Sequence, residues 1–89
     1  MMNDTMARLA RVKPADWRER KGCWTLERPI PGLEIAIDRF GYGYLVIVRF
    51  EDEVYSQHFP DWRGIEEASS QALALAERFV FDVAALSRG

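Results

Sequence analysis

The feature that most constrains the fold of this chain is a long helical pattern near its C-terminal end. Between residues 64 and 86, apolar side chains recur at helical spacing and form one continuous stripe, which comprises Ile65, Ala68, Ala72, Leu75, Ala76, Phe79, Val83 and Leu86. Apolar residues with this period indicate an amphipathic helix that buries one face. The sequence therefore predicts a helix over residues 64–87 that packs on the rest of the chain.

This helix carries more apolar surface than one buried face needs. Phe81 lies on the side opposite Phe79, because each residue turns the helix by about 100°, and Leu73, Val80 and Ala84 fill the side between them. A surface helix of a small domain should be polar there. We predict that this second face is covered by the N-terminal segment, by a second copy of the chain or by a protein partner.

The middle of the chain has the pattern of four β-strands separated by turns. The strand-like segments are 23–28, 33–40, 44–50 and 54–59. Each is followed by glycine, proline or acidic residues that favour a turn, and short turns favour antiparallel neighbours. The pattern of residues 23–59 therefore predicts a four-stranded antiparallel meander. With the C-terminal helix on one face and a short N-terminal helix over residues 4–12, residues 1–89 form one two-layer α+β domain.

The second face of this sheet has no obvious cover. The apolar run 44–50 is typical of a strand covered on both faces, yet one helix covers only one face. Either the connector around Trp17 folds across the other face, or that face is a binding surface. Trp17 and Trp62 both lie among charged residues. Trp and Arg dominate binding hot spots, so the two tryptophans could contact a partner. They could equally fold back and cover the ends of the core, and both interpretations stay open.

The chain offers little of the chemistry that enzymes need. It has one histidine, His58, and one cysteine, Cys23, and no spacing links them to an orienting third group. The acidic run 51–53 lacks the pattern of a calcium-binding loop, and no phosphate-binding loop or dinucleotide motif is present. We therefore predict a protein that is not an enzyme and that has no metal, cofactor or small-molecule substrate.

Length and composition fit a small intracellular domain. No stretch approaches the length of about 20 apolar residues that spans a membrane. The first residues lack the basic and then apolar pattern of a signal peptide, and a single cysteine permits no intrachain disulfide. The sequence therefore predicts a cytoplasmic protein.

One short string resembles a known nucleic-acid-binding signature. Residues 41–47, Gly-Tyr-Gly-Tyr-Leu-Val-Ile, resemble the longer signature of the RNA-recognition motif, in which a basic residue and glycine precede aromatic, small, aromatic and aliphatic residues. The resemblance implies that Tyr42 and Tyr44 stack on exposed bases. In this alternative function, Arg18, Arg20 and Lys21 attract the phosphates of a single strand.

The chain departs from that motif in three respects. Phe40 stands where a basic residue belongs, Ile47 replaces the last aromatic residue, and no helix fits between the first two strands. A glycine-rich hairpin explains the same residues without a ligand. A net charge of −2 also opposes attraction to phosphates.

In size, acidic character and lack of catalytic motifs, the chain resembles small proteins carried by phages and other mobile elements, among them the anti-CRISPR inhibitors. The resemblance implies that the protein blocks a surface of the host's defence machinery. Our leading prediction is accordingly a non-enzymatic protein-interaction module that forms a homodimer or docks on a larger protein. Its predicted contact residues are Phe81, Leu73, Val80, Ala84, Trp17 and Trp62.

Overall fold

The computed structural model describes residues 8–87 of the chain. In chain order the strands are β1 (Arg18–Arg20), β2 (Cys23–Glu27), β3 (Leu33–Phe40), β4 (Gly43–Phe50) and β5 (Glu53–Phe59). One long helix, Ile65–Ser87, follows them and is called the C-terminal helix below. The predicted α+β class, with an antiparallel sheet and a C-terminal helix, is confirmed. Of the helix predicted over 4–12, residues 8–10 are helical, and residues 4–7 lie outside the described residues.

The sheet contains five antiparallel strands in the order β1-β2-β3-β4-β5, so the prediction of four strands was wrong. The additional strand, β1, lies in the polar connector, and its three charged side chains are all exposed. It has no apolar alternation, and no pattern in the sequence marks it. It pairs with β2 in a hairpin. The two residues of the connecting turn, Lys21 and Gly22, have positive φ angles of 53° and 80°. Positive φ at both central residues is typical of the type I′ turn that matches the twist of a hairpin.

The core lies between the C-terminal helix and one face of the sheet. Leu33, Ile35 and Ile37 of β3 point to the same face as Val46 and Val48 of β4, because alternate residues of paired strands share a face. These five side chains are at most 1% exposed. The helix contributes Ala68, Ala72, Ala76, Val80 and Val83 to the buried set. The buried residues of β3 are therefore those that its alternation predicts, and the buried residues of the helix include most of the predicted stripe.

The segment before β1 packs beside the C-terminal helix. Leu9 is 2% exposed and Trp17 is 6% exposed. The indole N–H of Trp17 donates a buried hydrogen bond of 2.7 Å to the hydroxyl of Ser69 on the helix. The connector around Trp17 thus covers the helix side of the sheet, and among residues 8–87 no element covers the opposite face.

Candidate partner-binding surface

The face predicted around Phe81 is smaller than the sequence indicates. Val80 is 3% exposed and belongs to the core, so the prediction that it lies on the free face was wrong. It follows Ala76 at a spacing of four residues and therefore continues the buried row of the helix. Leu73 is half-buried against the core, and Ala84 is half-exposed. Among the described residues of the helix, Phe81 is the one large apolar residue that counts as exposed, at 54%.

The N-terminal segment covers part of this helix face. Leu9 and Val12 line a groove together with Leu73 and Ala74. Phe81 lies further along the helix, in a shallow depression that it shares with the charged residues Glu77, Arg78 and Asp82. A single exposed aromatic ring among charged side chains is ordinary for a globular protein. Among the described residues, the depression around Phe81 is therefore lined by charged side chains.

The structure separates the two candidate tryptophans. Trp17 is a buried lid over the core. Trp62 is half-buried at the end of the sheet, where it stacks on Trp24 with ring centroids 4.8 Å apart. The rings of Tyr44 and Trp62 make a T-shaped contact with centroids 5.5 Å apart, and the guanidinium carbon of Arg39 lies 5.0 Å from the centroid of the Trp62 ring. Trp62 is therefore the tryptophan that is partly accessible and lies beside an exposed arginine.

The two tyrosines predicted to stack on bases lie in different environments. Tyr42 is 95% exposed in the turn between β3 and β4, whereas Tyr44 is 2% exposed. The ring of Tyr44 stacks on Phe59 at 4.9 Å, on the helix side of the sheet. A buried ring has no free face for a base, so the prediction that Tyr44 lies on a binding surface was wrong. Its partner in the motif, Tyr42, is accessible.

The glycines of the string 41–47 have structural roles in the hairpin. Gly41 adopts a φ of 62°, a conformation that favours glycine. A Cβ atom at Gly43 would collide with the carbonyl oxygen of Phe59, because the chain after β5 passes close by. The backbone N–H of Trp62 donates a hydrogen bond of 2.9 Å to the carbonyl oxygen of Tyr42, which fixes that approach. The string is thus explained by close packing of the backbone.

The environment of Tyr44 makes its ionisation unfavourable in the folded protein. Burial raises the pKa of the Tyr44 hydroxyl above its ordinary value of 10.0, and the negative charge of Glu67 raises the pKa further. Because the pKa is raised on folding, the stability linked to Tyr44 is complete below pH 10 and is lost as the pH rises through the folded-state pKa.

We expect this loss to be visible in unfolding experiments. The free energy of unfolding of the wild type should fall more steeply above pH 10 than that of Tyr44→Phe. Tyr42→Phe, which removes the hydroxyl of a side chain that is 95% exposed, is the matched control for the loss of a tyrosine hydroxyl. Urea unfolding followed by circular dichroism at a series of alkaline pH values measures the effect. Equal slopes for the wild type and Tyr44→Phe would contradict it.

The face of the sheet opposite the helix is called the open face. The pairing register assigns to it, from β1 to β5, Arg18, Arg20, Cys23, Thr25, Glu27, Glu34, Ala36, Asp38, Phe40, Leu45, Ile47, Arg49, Val54, Ser56 and His58. Two of the basic residues of the nucleic-acid alternative, Arg18 and Arg20, therefore lie at one side of this face, and Lys21 lies in the adjoining turn. The structure brings Arg20 and Lys21 to the same end of the sheet as Tyr42, because the Arg39 N–H donates a hydrogen bond of 3.1 Å to the Gly22 carbonyl oxygen. Arg18 lies further along, level with Ala36 of β3.

The open face has an apolar centre and a charged rim. Ala36, Leu45 and Ile47 are half-buried although only neighbouring strands shield them. Phe40 and Val54 are 67% and 56% exposed at its ends. The rim carries both signs of charge, from Arg18, Arg20 and Arg49 and from Glu27, Glu34 and Asp38. An apolar centre with a polar rim is the usual arrangement of protein–protein interfaces, whereas a phosphate backbone calls for one sign of charge.

The sequence indicated this face only in part. The alternation of β3 assigns Ala36 to it, but the sequence does not show that Phe40, at the end of the same strand, is an exposed aromatic residue. In β4, the unbroken apolar run does not reveal which residues point away from the helix. The missing signal was the register between β3 and β4, which pairs Ala36 with Ile47. The rings of Phe40 and His58 make a T-shaped contact with centroids 6.0 Å apart, so the one histidine is also part of the open face.

The only cysteine lies on the open face beside an acidic residue. Burial raises the pKa of the Cys23 thiol, and the negative charge of Asp38, its partner in the β2–β3 register, acts in the same direction. A raised pKa lowers the fraction of reactive thiolate. Among residues 8–87, no group of three His, Cys, Asp or Glu side chains is arranged to hold a metal ion. No helix in this part of the chain is long and apolar enough to cross a membrane.

Comparison with known proteins gives no relative of this chain: no protein-family model, no curated protein and no solved structure matches it.

Proposed function

We propose that the protein is a non-enzymatic protein-interaction module that docks on a larger protein through its open face. One observation carries the proposal: Ala36, Leu45 and Ile47 form an apolar centre on a five-stranded sheet, and no other element of residues 8–87 lies over it. The exposed Phe40 and Val54 extend this apolar surface. Contiguous exposed apolar area on a small protein commonly marks an interaction site.

The proposed partner is a protein with a complementary, partly apolar surface. The mixed charges of the rim suit side chains of both signs in a partner, and rigid strands allow docking without loss of backbone freedom. In the phage-inhibitor interpretation, the partner is a component of a host defence system and docking blocks its working surface.

A pair of matched variants tests this proposal. Phe40→Ala removes an exposed ring from the open face, and Phe81→Ala removes an exposed ring from the helix. Co-purification from the native host followed by titration of the recovered partner should give at least about fivefold weaker binding for Phe40→Ala, the loss that corresponds to a contact worth more than about 1 kcal/mol. Phe81→Ala should bind like the wild type.

The reverse order of effects contradicts docking through the open face. If Phe81→Ala weakened binding and Phe40→Ala left it unchanged, the contact would lie on the helix. Protection of Cys23 from alkylation gives a second measurement, since its thiol lies on the open face. A bound partner should slow the reaction of Cys23, and an unchanged rate in the complex would count against the proposal.

Single-stranded nucleic-acid binding is the second candidate. Its support is the position of the fully accessible Tyr42 at the same end of the sheet as Arg20 and Lys21. The buried Tyr44 and the mixed charge of the open face weaken it. Titration of a labelled oligonucleotide at low salt, with Tyr42→Ala as the variant, tests this function separately, because base stacking is worth about 1–3 kcal/mol per base.

A further inference from the structure

We infer that two copies of the chain pair through their β5 strands and form one continuous ten-stranded antiparallel sheet. This inference concerns the edge of the sheet and is independent of docking through the open face. In such a dimer both helices lie on one side, and both open faces lie together on the other.

The two edges of the sheet are protected very differently. The β1 edge is only three residues long, and all three of its side chains are charged. Short length and charge are the usual means by which proteins prevent edge pairing. The β5 edge is seven residues long, and all seven pair with β4 in an unbroken register without a bulge. It contains no lysine, arginine or proline, and its one carboxylate, Glu53, lies at its first position.

Among residues 8–87, no strand pairs with the outer side of β5, so the backbone hydrogen-bonding groups on that side are available. The two-residue turn at Glu51 and Asp52 joins Phe50 to Glu53 as the closing pair of the β4–β5 hairpin. Hydrogen-bonded pairs alternate along an antiparallel ladder, so the N–H and C=O groups of every second residue point away from β4. The outward groups are those of Val54, Ser56 and His58. Each of these residues is exposed, so this side of β5 is accessible to an incoming strand.

The side chains of β5 fit a second copy of the same strand. A two-fold axis at Ser56 places Val54 opposite His58 of the second copy, in a pair that uses the outward backbone groups. The same axis places Tyr55 opposite Gln57 and Glu53 opposite Phe59. No like charges oppose each other in this register, so none of these cross-strand pairs is repulsive.

The helix side of the edge is also complementary to itself. Arg78 and Asp82 line a groove above Tyr55 and Gln57. A two-fold axis perpendicular to the sheet reverses the direction of the helix, so Arg78 of one copy approaches Asp82 of the other. The ring of Tyr55, which is 43% exposed and stacks on Phe79 with centroids 5.9 Å apart, becomes covered. Opposite charges at this position favour the second copy over a strand of unrelated sequence.

Sedimentation of the full chain over a wide range of concentration tests the inference. The wild type is expected to sediment as a dimer at high concentration. Ser56→Lys places two positive charges at the two-fold axis and should raise the dissociation constant of the dimer at least about tenfold. Ser70→Lys adds the same charge at an exposed position on the helix and should sediment like the wild type. A wild type that is monomeric at every concentration overturns the inference, and so does a Ser56→Lys variant that dimerises like the wild type.

A cross-link tests the register directly. In a Cys23→Ser background, Ser56→Cys puts two thiols across the axis, where hydrogen-bonded partners have Cα atoms about 5.5 Å apart, within the range of a disulfide. Mild oxidation should convert this variant to a covalent dimer and leave Cys23→Ser with Ser70→Cys monomeric. Equal cross-linking of the two variants would overturn the β5 register. Both sites are exposed, so the fold should persist, and far-ultraviolet circular dichroism verifies this.

Discussion

Replacing Ile37 by alanine should lower the free energy of unfolding by about 2–5 kcal/mol. Ile37 is fully buried in β3, where the C-terminal helix packs on the sheet. The truncation removes apolar contacts on both the sheet and the helix and leaves a cavity that rigid neighbours fill poorly. Urea unfolding measures the effect as a lower midpoint with an unchanged slope. Ile37→Val, which removes one methyl group, should cost about 0.5–1.5 kcal/mol.

Ile47→Ala is the matched control on the neighbouring strand. Ile47 pairs with Ala36 on the open face and is shielded only by its neighbours in the sheet. Its truncation should cost at most about 1 kcal/mol, the range of a cross-strand pair. Equal losses at Ile37 and Ile47 would contradict the two-layer arrangement, because they would require a covering layer on the open face. The comparison therefore tests whether this face is free in the isolated protein.

The fold was largely predictable because hydrophobic periodicity reports burial. The stripe of the C-terminal helix and the alternation of β3 each bury one side, and each pattern appears in the sequence at its own period. β1 was not predictable, because its three exposed charged residues have no buried side. In β4 both sides are apolar although only one is covered by the helix. The run 44–50 therefore predicts a strand but does not tell which of its faces meets the core.

The candidate site was less predictable because it depends on how the elements are rotated and placed. Val80 and Phe81 are adjacent in a helix with apolar residues around much of its circumference, and the sequence leaves the rotation of that helix undetermined. Packing on the sheet buries Val80 and exposes Phe81. Tyr44 is likewise buried by the register of β4 with β5, which stacks it on Phe59. The residues of the open face can be identified only once the pairing register of all five strands is known.

Replacing Trp17 by alanine should cost about 3–5 kcal/mol of unfolding free energy, as expected for a large buried aromatic residue. Sequence alone left Trp17 open as a lid or as a partner contact. Its ring is 6% exposed, and its N–H donates to Ser69, a residue 52 positions away in the chain. The decrease in unfolding free energy measures how strongly the contact of Trp17 with the helix holds the segment before β1 in place. Urea unfolding followed by circular dichroism gives the value without relying on tryptophan fluorescence.

Two further variants divide this effect between packing and hydrogen bonding. Ser69→Ala keeps the ring but leaves a buried N–H without its acceptor, which should cost about 1–3 kcal/mol. Trp17→Phe keeps most of the apolar body and should lie between Ser69→Ala and Trp17→Ala. If Trp17→Ala left the unfolding free energy unchanged and abolished partner binding, Trp17 would be a contact residue. Because a chain of this length has a total stability of only about 5–13 kcal/mol, the lid interpretation assigns a large share of that stability to the contact between Trp17 and the C-terminal helix.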